Sequence, residues 1–185
     1  NLEKNKGFTS MQFRKKMAGK VFSITSEYDL LINEWFNNKK ENKIQKINLK
    51  YGENPYQKST FEINDFQNSL FKNKIHGKEL GYNNILDIDA GLNCINEFKE
   101  PTSVIIKHGN PCGVASSNNI ISAFKKSYLS DPISAYGGII IINRSVNKLL
   151  ALEILKNFYE IVVASSFNKE AINTLKSKKK LILIS

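Results

Sequence analysis

The stretch that decides the fold is Val104-Ile105-Ile106-Lys107-His108-Gly109-Asn110-Pro111-Cys112-Gly113-Val114. Its first three residues are apolar and β-branched, which is typical of a buried strand. The Gly, Asn-Pro and Gly that follow are typical of a tight loop. In open α/β sheets, ligands bind where a strand ends and its loop begins. The sequence therefore predicts a buried strand that brings an ammonium and an imidazole to the mouth of a crevice.

Strands and helices alternate around this stretch. Apolar residues recur at helical spacing over 85–98, 117–129, 149–158 and 169–175, and short apolar runs that indicate strands lie at 104–107, 139–142, 161–164 and 181–184. Either Asn83 or Asn84 is expected to cap the first of these helices. Alternation of this kind predicts a layered α/β fold.

Residues 8–36 are predicted to form one long amphipathic helix, because their apolar residues recur at helical spacing. Thr9 and Gln12 fit a capping box at its start. The polar, Lys-rich stretch 37–42 that follows indicates a linker. We therefore expect a helical appendage over residues 1–42 and an α/β domain over residues 43–185.

Composition restricts the partners that the chain can be expected to have. The 185 residues carry a formal net charge of +10, which is compatible with binding to nucleic acid. Apart from Lys176–Lys180, however, the lysines are scattered, and this run indicates a solvated helix end before the last strand. An RNA-binding module stays open as an alternative, although it would need aromatic residues interleaved with lysine on one sheet face.

Other features of the composition predict a cytoplasmic protein without a membrane partner, and because most lysines are scattered, we expect no nucleic-acid partner either. No apolar run reaches the length of a membrane span, and no signal-peptide pattern opens the sequence. Cys94 and Cys112 lack the paired spacing of a disulfide framework or a zinc site. The sequence begins at Asn1 rather than Met and ends inside an apolar run, so we expect it to be part of a longer protein.

Lys107 and His108 are the first candidates for chemistry. An adjacent ammonium disfavours the imidazolium form, so it keeps a neutral base available to take a proton from an amine or an alcohol. Such general bases commonly contribute about 10²–10⁴-fold to a rate, and the lysine could stabilise an oxyanion formed in the same step. The alternative is a structural histidine that is bonded to a loop carbonyl.

Further candidates lie next to turns. Lys50 and Tyr51 end a predicted strand that Gly52-Glu53-Asn54-Pro55 breaks, and they could grip a phosphate or stack on a flat ring. The small-residue loop Ser134–Gly138 could let backbone amides approach an anion. Asn84 could bind a ligand or cap a helix. In each case an ordinary turn or cap remains the alternative.

Taken together, four motifs resemble the bacterial bifunctional family that combines aminoimidazole carboxamide ribonucleotide (AICAR) transformylase with inosine monophosphate (IMP) cyclohydrolase, an enzyme family of purine biosynthesis. The motifs are Lys50–Pro55, Gly77–Asp87, Lys107–Ala115 and Ser130–Ile140. Their order and spacing match the family from about Phe8 to the end of the chain. The resemblance implies that residues 8–36 correspond to the end of the cyclohydrolase region, and residues 43–185 to the first half of the transformylase.

The resemblance also implies a fold and an activity. The fold is a three-layer α/β/α domain like that of cytidine deaminase, with a mostly parallel mixed sheet. The activity is formyl transfer from 10-formyltetrahydrofolate to the 5-amino group of AICAR, in a homodimer. No metal is implied, because the His-x-Glu and Pro-Cys-x-x-Cys ligands of the zinc deaminases are missing at His108 and Cys112. The isolated chain is expected to have little activity, and an inactive structural fragment is a further alternative.

The resemblance assigns roles to individual residues. His108 would accept the amine proton, while Lys107 would steady the developing charge. The positions that match ligand-binding positions of the family are Lys50, Tyr51 and Asn84 for the nucleotide, Ser134, Tyr136 and Gly137 for its ring and the folate, and Glu160 as an acidic contact. Lys50 stands where the family usually has arginine, so a bidentate grip on phosphate becomes a point charge. Gly81 stands where a serine is common.

Overall fold

Residues 7–37, 45–54, 56–63 and 69–185 are described by a computed structural model of the chain. The chain divides into two units, Asn1–Lys43 and Ile44–Ser185. Most of the predicted linker, residues 38–42, lies outside the described residues, as does Pro55 of the predicted turn.

The first unit contains the helix α1 (Met11–Asn37), close to the predicted range. Its first turn is capped by Ser10, whose Oγ accepts a hydrogen bond from the Phe13 N–H at 3.1 Å. The predicted capping box on Thr9 is therefore wrong by one residue, because the neighbouring hydroxyl reaches the N–H three positions on. Large apolar side chains of α1, among them Phe22 and Trp35, are mostly exposed.

The second unit contains a two-stranded hairpin and a six-stranded sheet. The hairpin consists of β1 (Gln45–Asn48) and β2 (Thr60–Ile63), which pair antiparallel. The sheet and its helices are β3 (Lys74–His76), α2 (Tyr82–Ile95), β4 (Thr102–Lys107), β5 (Asn110–Ser116), α3 (Ile120–Ser130), β6 (Ile139–Val146), α4 (Lys148–Ile154), β7 (Ile161–Phe167), α5 (Lys169–Leu175) and β8 (Ile182–Ile184).

The sheet has the strand order β3-β8-β7-β6-β4-β5. Strands β6, β7 and β8 are parallel to one another, whereas β3 pairs antiparallel with β8, β4 with β6, and β5 with β4. The predicted mixed sheet of an α/β fold is confirmed. The expected predominance of parallel pairings is not found among the described strands, because β4 and β5 form a hairpin that joins β6 antiparallel.

Helices cover both faces of this sheet, which gives the predicted three layers. Successive strand residues point to opposite faces, so Ile106 and Ile141 pack with α2, whereas Ile105 and Ile140 pack with α3, α4 and α5. The first four residues of β6 and of β7 are all buried. The central strands are therefore apolar on both faces, which explains their continuous runs of isoleucine and valine.

Strand β5 was not predicted, since its Pro and Gly residues argue for a loop. Pro111 is tolerated because β5 lies at the edge of the sheet, where a missing N–H leaves no partner unpaired. The register shifts by one residue at Cys112, which forms a bulge. A Cβ atom on Gly113 would overlap the carbonyl oxygen of Ser127. Only glycine therefore lets α3 approach β5 this closely.

Candidate functional site

The turn between β4 and β5 presents the imidazole of His108. Lys107 pairs with Asn110, which leaves His108 and Gly109 as a two-residue loop with φ values of 53° and 74°. Positive φ at both positions is the signature of a type I′ turn, whose twist suits a hairpin. The Gly109 N–H donates to Asp87 Oδ1 at 2.6 Å, so α2 holds the turn in place. His108 is exposed at its tip.

Lys107 connects the end of β4 to the loop before β6. Its Nζ donates to the carbonyl oxygen of Tyr136 at 2.8 Å. This bond anchors the ammonium to the small-residue loop that the sequence singled out, and Lys107 and His108 line the same cleft. Because Lys107 bonds to the main chain of Tyr136, the aromatic ring of Tyr136 takes no part in this bond. The centroid of that ring lies 5.3 Å from the ring centroid of Phe158.

A cleft of about 530 Å³ lies below this turn. Most of the side chains predicted to act together line it, namely Tyr51, Asn84, Lys107, His108, Tyr136, Gly137 and Glu160. They come from the β1–β2 connection, α2, β4 and the segments that precede β6 and β7. The sequence predicted that these residues act at one site, and the structure places them along one cleft.

Ser134 and Lys50 lie outside that cleft. Ser134 lines an adjoining depression of about 350 Å³, which shares Lys107 and His108 with it. The Ser134 Oγ donates to Asp131 Oδ2 at 2.6 Å, and this bond is the main reason why the pKa of the Asp131 carboxyl is lowered. The Lys50 ammonium lies 5.1 Å from the ring centroid of Tyr51, within the range of a cation–π contact.

Glu160 is the polar centre of the cleft floor. Its Oε2 accepts hydrogen bonds from Lys78 Nζ at 3.2 Å and from Asn84 Nδ2 at 3.3 Å. The Oδ1 of Asn84 accepts from the Gly81 N–H at 3.1 Å. The helix thus begins after Gly81 as N-cap, and the prediction of a cap at Asn83 or Asn84 is wrong. Asn84 closes the first turn of α2 and also faces the ligand-sized space.

Sequence reasoning missed two charged residues that line the cleft, Lys78 and Asp87. Both line the cleft: Lys78 donates a hydrogen bond to the predicted residue Glu160, and Asp87 accepts one from the Gly109 N–H, next to the predicted residue His108. A signal for Asp87 was present, since it follows Asn83 and Asn84 by four and three residues and so shares their helix face. Lys78 lies in a loop with no periodicity, and nothing in its spacing distinguished it from other lysines.

The cleft lies at the carboxyl end of β4, as predicted, but at the amino ends of the parallel strands. Gly137 and Glu160 immediately precede β6 and β7. The N-terminus of α2 also opens into the cleft, and its first turn holds no acidic residue. The partial positive charge of a helix N-terminus favours an anionic group. The cleft therefore combines an imidazole, two ammonium groups, two carboxylates and a helix N-terminus.

The described residues contain neither a metal centre nor a membrane span. No group of three or more His, Cys, Asp and Glu side chains among them is placed to hold a metal ion. No helix in this part of the chain combines the length and the apolar character needed to cross a bilayer. Cys94 and Cys112 are free thiols, and burial raises the pKa of both.

Fold and cleft together define the class as an α/β protein with an open, polar cleft of a size that small molecules occupy. The family of the chain follows from comparison with known proteins. The family model described as the AICARFT/IMPCHase bienzyme matches residues 1–185. The chain belongs to this family.

Curated relatives agree with that assignment. The bifunctional purine biosynthesis protein PurH of Bacillus cytotoxicus is 41% identical over 193 residues, and that of Caldicellulosiruptor bescii is 45% identical over 195 residues. The protein of the same name from Bacillus cereus is 41% identical over 193 residues. These matches cover 97–98% of this chain but only 38% of each relative. The chain thus spans well under half the length of the curated relatives it matches.

Proposed function

We propose that this chain contributes the base-bearing half of a formyltransferase site in purine biosynthesis. The donor is 10-formyltetrahydrofolate, the acceptor is the 5-amino group of AICAR, and no metal takes part. One observation carries the proposal: an exposed imidazole at the tip of a type I′ turn stands over a cleft that also holds the Lys107 ammonium and Glu160. Membership of the bienzyme family supports it.

The proposed step balances with the groups at hand. The amine nitrogen of AICAR attacks the formyl carbon, and the bond between that carbon and N10 of the folate breaks. His108 takes the amine proton, and the leaving N10 takes up a proton, which gives the formamido ribonucleotide and tetrahydrofolate. The Lys107 ammonium stabilises the negative charge that develops on the formyl oxygen. General base assistance of this kind is worth about 10²–10⁴-fold.

The remaining residues supply binding. The half-exposed rings of Tyr51 and Tyr136 offer faces on which a flat heterocycle can stack. Asn84 and Glu160 offer an amide and a carboxylate for the carboxamide and amine groups of the acceptor. The N-terminus of α2 and the Lys50 point charge favour its phosphate. We also propose a cytoplasmic homodimer, on the family resemblance.

The test removes the imidazole and keeps the turn. His108→Asn creates an Asn-Gly pair, which favours a type I′ turn, so the hairpin and the Lys107–Tyr136 bond should persist. In the protein expressed from the longest reading frame that contains residues 1–185, formyl transfer should fall at least about hundredfold, since asparagine cannot act as a base. His108→Ala should give the same loss.

The readouts are formyl transfer, IMP ring closure and the thermal midpoint of both variants. Ring closure should remain at the level of the unsubstituted protein. Equal loss of both activities would mean that His108 is structural, and undiminished formyl transfer would refute the assignment of the base.

A further inference from the structure

The cleft contains an ion pair between Lys78 and Glu160. Lys78 Nζ lies 3.2 Å from Glu160 Oε2, and about one third of each side chain is exposed. Among the described residues that line the cleft, no other ammonium and carboxylate lie within 4.0 Å of each other. The family resemblance assigns a ligand contact to Glu160. Residue spacing gives Lys78 no role, and its contact with a predicted ligand residue supplies one.

The loop that carries Lys78 has a fixed backbone on both sides of this residue. Gly77 has a φ of 99°, and a Cβ atom there would overlap the carbonyl oxygen of Leu181, so the loop lies directly on the chain that enters β8. Two residues after Lys78, the Leu80 side chain is buried and its carbonyl accepts the Lys50 N–H at 3.2 Å. The ammonium therefore reaches Glu160 from a defined position.

Glu160 is held equally firmly, through its main chain and through one carboxylate oxygen. Its N–H donates to the Gly138 carbonyl at 3.1 Å, and its own carbonyl accepts the Ile182 N–H at 3.0 Å. Lys78 and Asn84 both donate to Oε2, and no described residue donates to Oε1. An ionised carboxylate accepts hydrogen bonds at both oxygens. The arrangement therefore leaves Oε1 to accept an N–H from a molecule in the cleft.

The Lys78 ammonium also offsets the charge of this carboxylate. The second donor to Oε2, Asn84, is neutral and orients the carboxylate without compensating it. A carboxylate without a cation beside it would repel a ligand that carries a phosphate, whereas a hydrogen bond from an ammonium orients the carboxylate strongly and cancels its charge. Lys78 thus serves both the direction of Glu160 and the acceptance of an anionic ligand.

We propose that Lys78 is a positioning residue for the acceptor nucleotide. It holds Glu160 by Oε2 so that Oε1 accepts an N–H of the amino or carboxamide group on the heterocycle. The inference rests on the proposed function, in which AICAR is the acceptor. A direct contact between Lys78 and the ligand phosphate is the competing role, and it would require the ammonium to leave the carboxylate to which it is bonded.

The experiment is a cycle of Lys78→Met, Glu160→Gln and both together, in the protein expressed from the longest reading frame that contains this chain. Since the Lys78–Glu160 bond is partly exposed, we expect the lower limit for a charged hydrogen bond, and KM for AICAR should rise about tenfold in Lys78→Met. Its kcat should stay within about twofold, because the lost interaction is the same in the ground state and the transition state. In the Glu160→Gln background, Lys78→Met should raise KM less than about twofold, since the two residues act as one unit.

Two further variants serve as controls. Lys78→Arg keeps a cation that can donate to Oε2, so KM should stay within about threefold of the unsubstituted value. Lys74→Met removes the same charge from β3, at a position that does not line the cleft, and it should leave KM unchanged. The thermal midpoint of each variant reports on folding. If Lys78→Met does not fold, Lys78→Gln takes its place in the cycle.

Failure of this inference differs from failure of the proposed function. An equal rise of KM with and without Glu160→Gln would overturn the inference and would assign Lys78 a direct contact with AICAR. A loss in kcat alone would overturn it as well. If no formyl transfer is found, calorimetric affinities of the same proteins for AICAR complete the cycle, and a non-additive result keeps the inference while the proposed reaction is refuted. Absence of AICAR binding to the unsubstituted protein would refute both.

Discussion

Asn84 shows how one side chain of the cleft can close a helix turn and also bond to a second residue of the cleft. Its Oδ1 completes the first turn of α2 by accepting the Gly81 N–H, and its Nδ2 donates to Glu160. An amide can do both because it carries an acceptor and a donor. Of the two alternatives that the sequence left open for this residue, the helix cap is wrong because Gly81 is the N-cap, and contact with a ligand stays a prediction.

Tyr159 is the residue whose burial makes a pH-dependent prediction. Its ring packs edge-on against Phe124, it is 4% exposed, and its hydroxyl has no partner among the described residues. Burial raises the pKa of this phenol above its ordinary value near 10. Above about pH 10 the unfolded chain therefore loses this proton while the folded chain keeps it. Folding stability should fall there by about 1.4 kcal/mol per pH unit from this group.

Tyr159→Phe should remove that alkaline loss and cost little at pH 7, because no hydrogen bond is broken. The measurement is the free energy of unfolding by urea at pH 7, 10 and 11, compared between variants. The matched control is Tyr128→Phe, whose hydroxyl donates to Asn157 Oδ1 at 3.1 Å, and it should lose about 1 kcal/mol at pH 7. An unchanged alkaline slope in Tyr159→Phe would contradict the assignment.

At the scale of single residues, the sequence indicates which residues could act in a site better than it indicates which residues they bond to. His108 stood out because the chain has only one other histidine, and it does line the cleft. The partners of Glu160 could not be predicted, since Lys78 and Asn84 are 82 and 76 residues away along the chain. Such contacts depend on strand order, which residue spacing does not contain.

The β4–β5 hairpin is the element on which the site depends, and α2 holds its turn through Asp87. Asp87→Ala should remove the acceptor of the Gly109 N–H and loosen the turn that carries His108. A charged hydrogen bond of this kind is worth about 1.5–3 kcal/mol, and because it is exposed we expect the lower limit, which is about tenfold in kcat. Asp87 acts here as a positioning residue, so Asp87→Asn, which retains an acceptor, should recover part of the rate.

Asp89→Ala is the matched control for that prediction. Asp89 lies on the same helix and accepts from Asn93, away from the turn, so formyl transfer should stay unchanged. The measurement is the pH profile of kcat together with KM for AICAR. A loss in Asp87→Ala that appears only in KM, or an equal loss in Asp89→Ala, would show that Asp87 does not position the base.

Helices could be predicted from the sequence more accurately than edge strands. Three helix starts follow an asparagine whose Oδ1 accepts the N–H three residues on, at Asn119, Asn147 and Asn168, and such caps are local signals. Strand β5 could not be predicted in this way. Its Pro and Gly are permitted only by its edge position and by the approach of α3, which are tertiary facts.

In the second unit, the side chains that line the cleft lie at the strand ends on one side of the sheet rather than on a sheet face. Helices cover both faces of the central strands. The exposed aromatic and lysine side chains therefore lie in the turns at those strand ends. The net charge of +10 alone suggested nucleic acid. In the described residues, however, helices cover both faces of the central strands, so these strands offer no open face on which single-stranded bases could stack.

The exposed aromatic rings that line the cleft of the second unit give the last prediction. Tyr136 is 64% exposed and Tyr51 is 50% exposed, whereas small-molecule sites commonly bury about 70–90% of a ligand. Purified residues 1–185 should therefore bind AICAR weakly in calorimetry and show no formyl transfer above the uncatalysed rate. The protein from the longest reading frame that contains them should bind AICAR more tightly and catalyse formyl transfer, because this chain covers only 38% of the curated relatives that it matches. Turnover by residues 1–185 at a comparable rate would contradict this, and it would mean that the Lys107–His108 turn and its cleft suffice for the reaction.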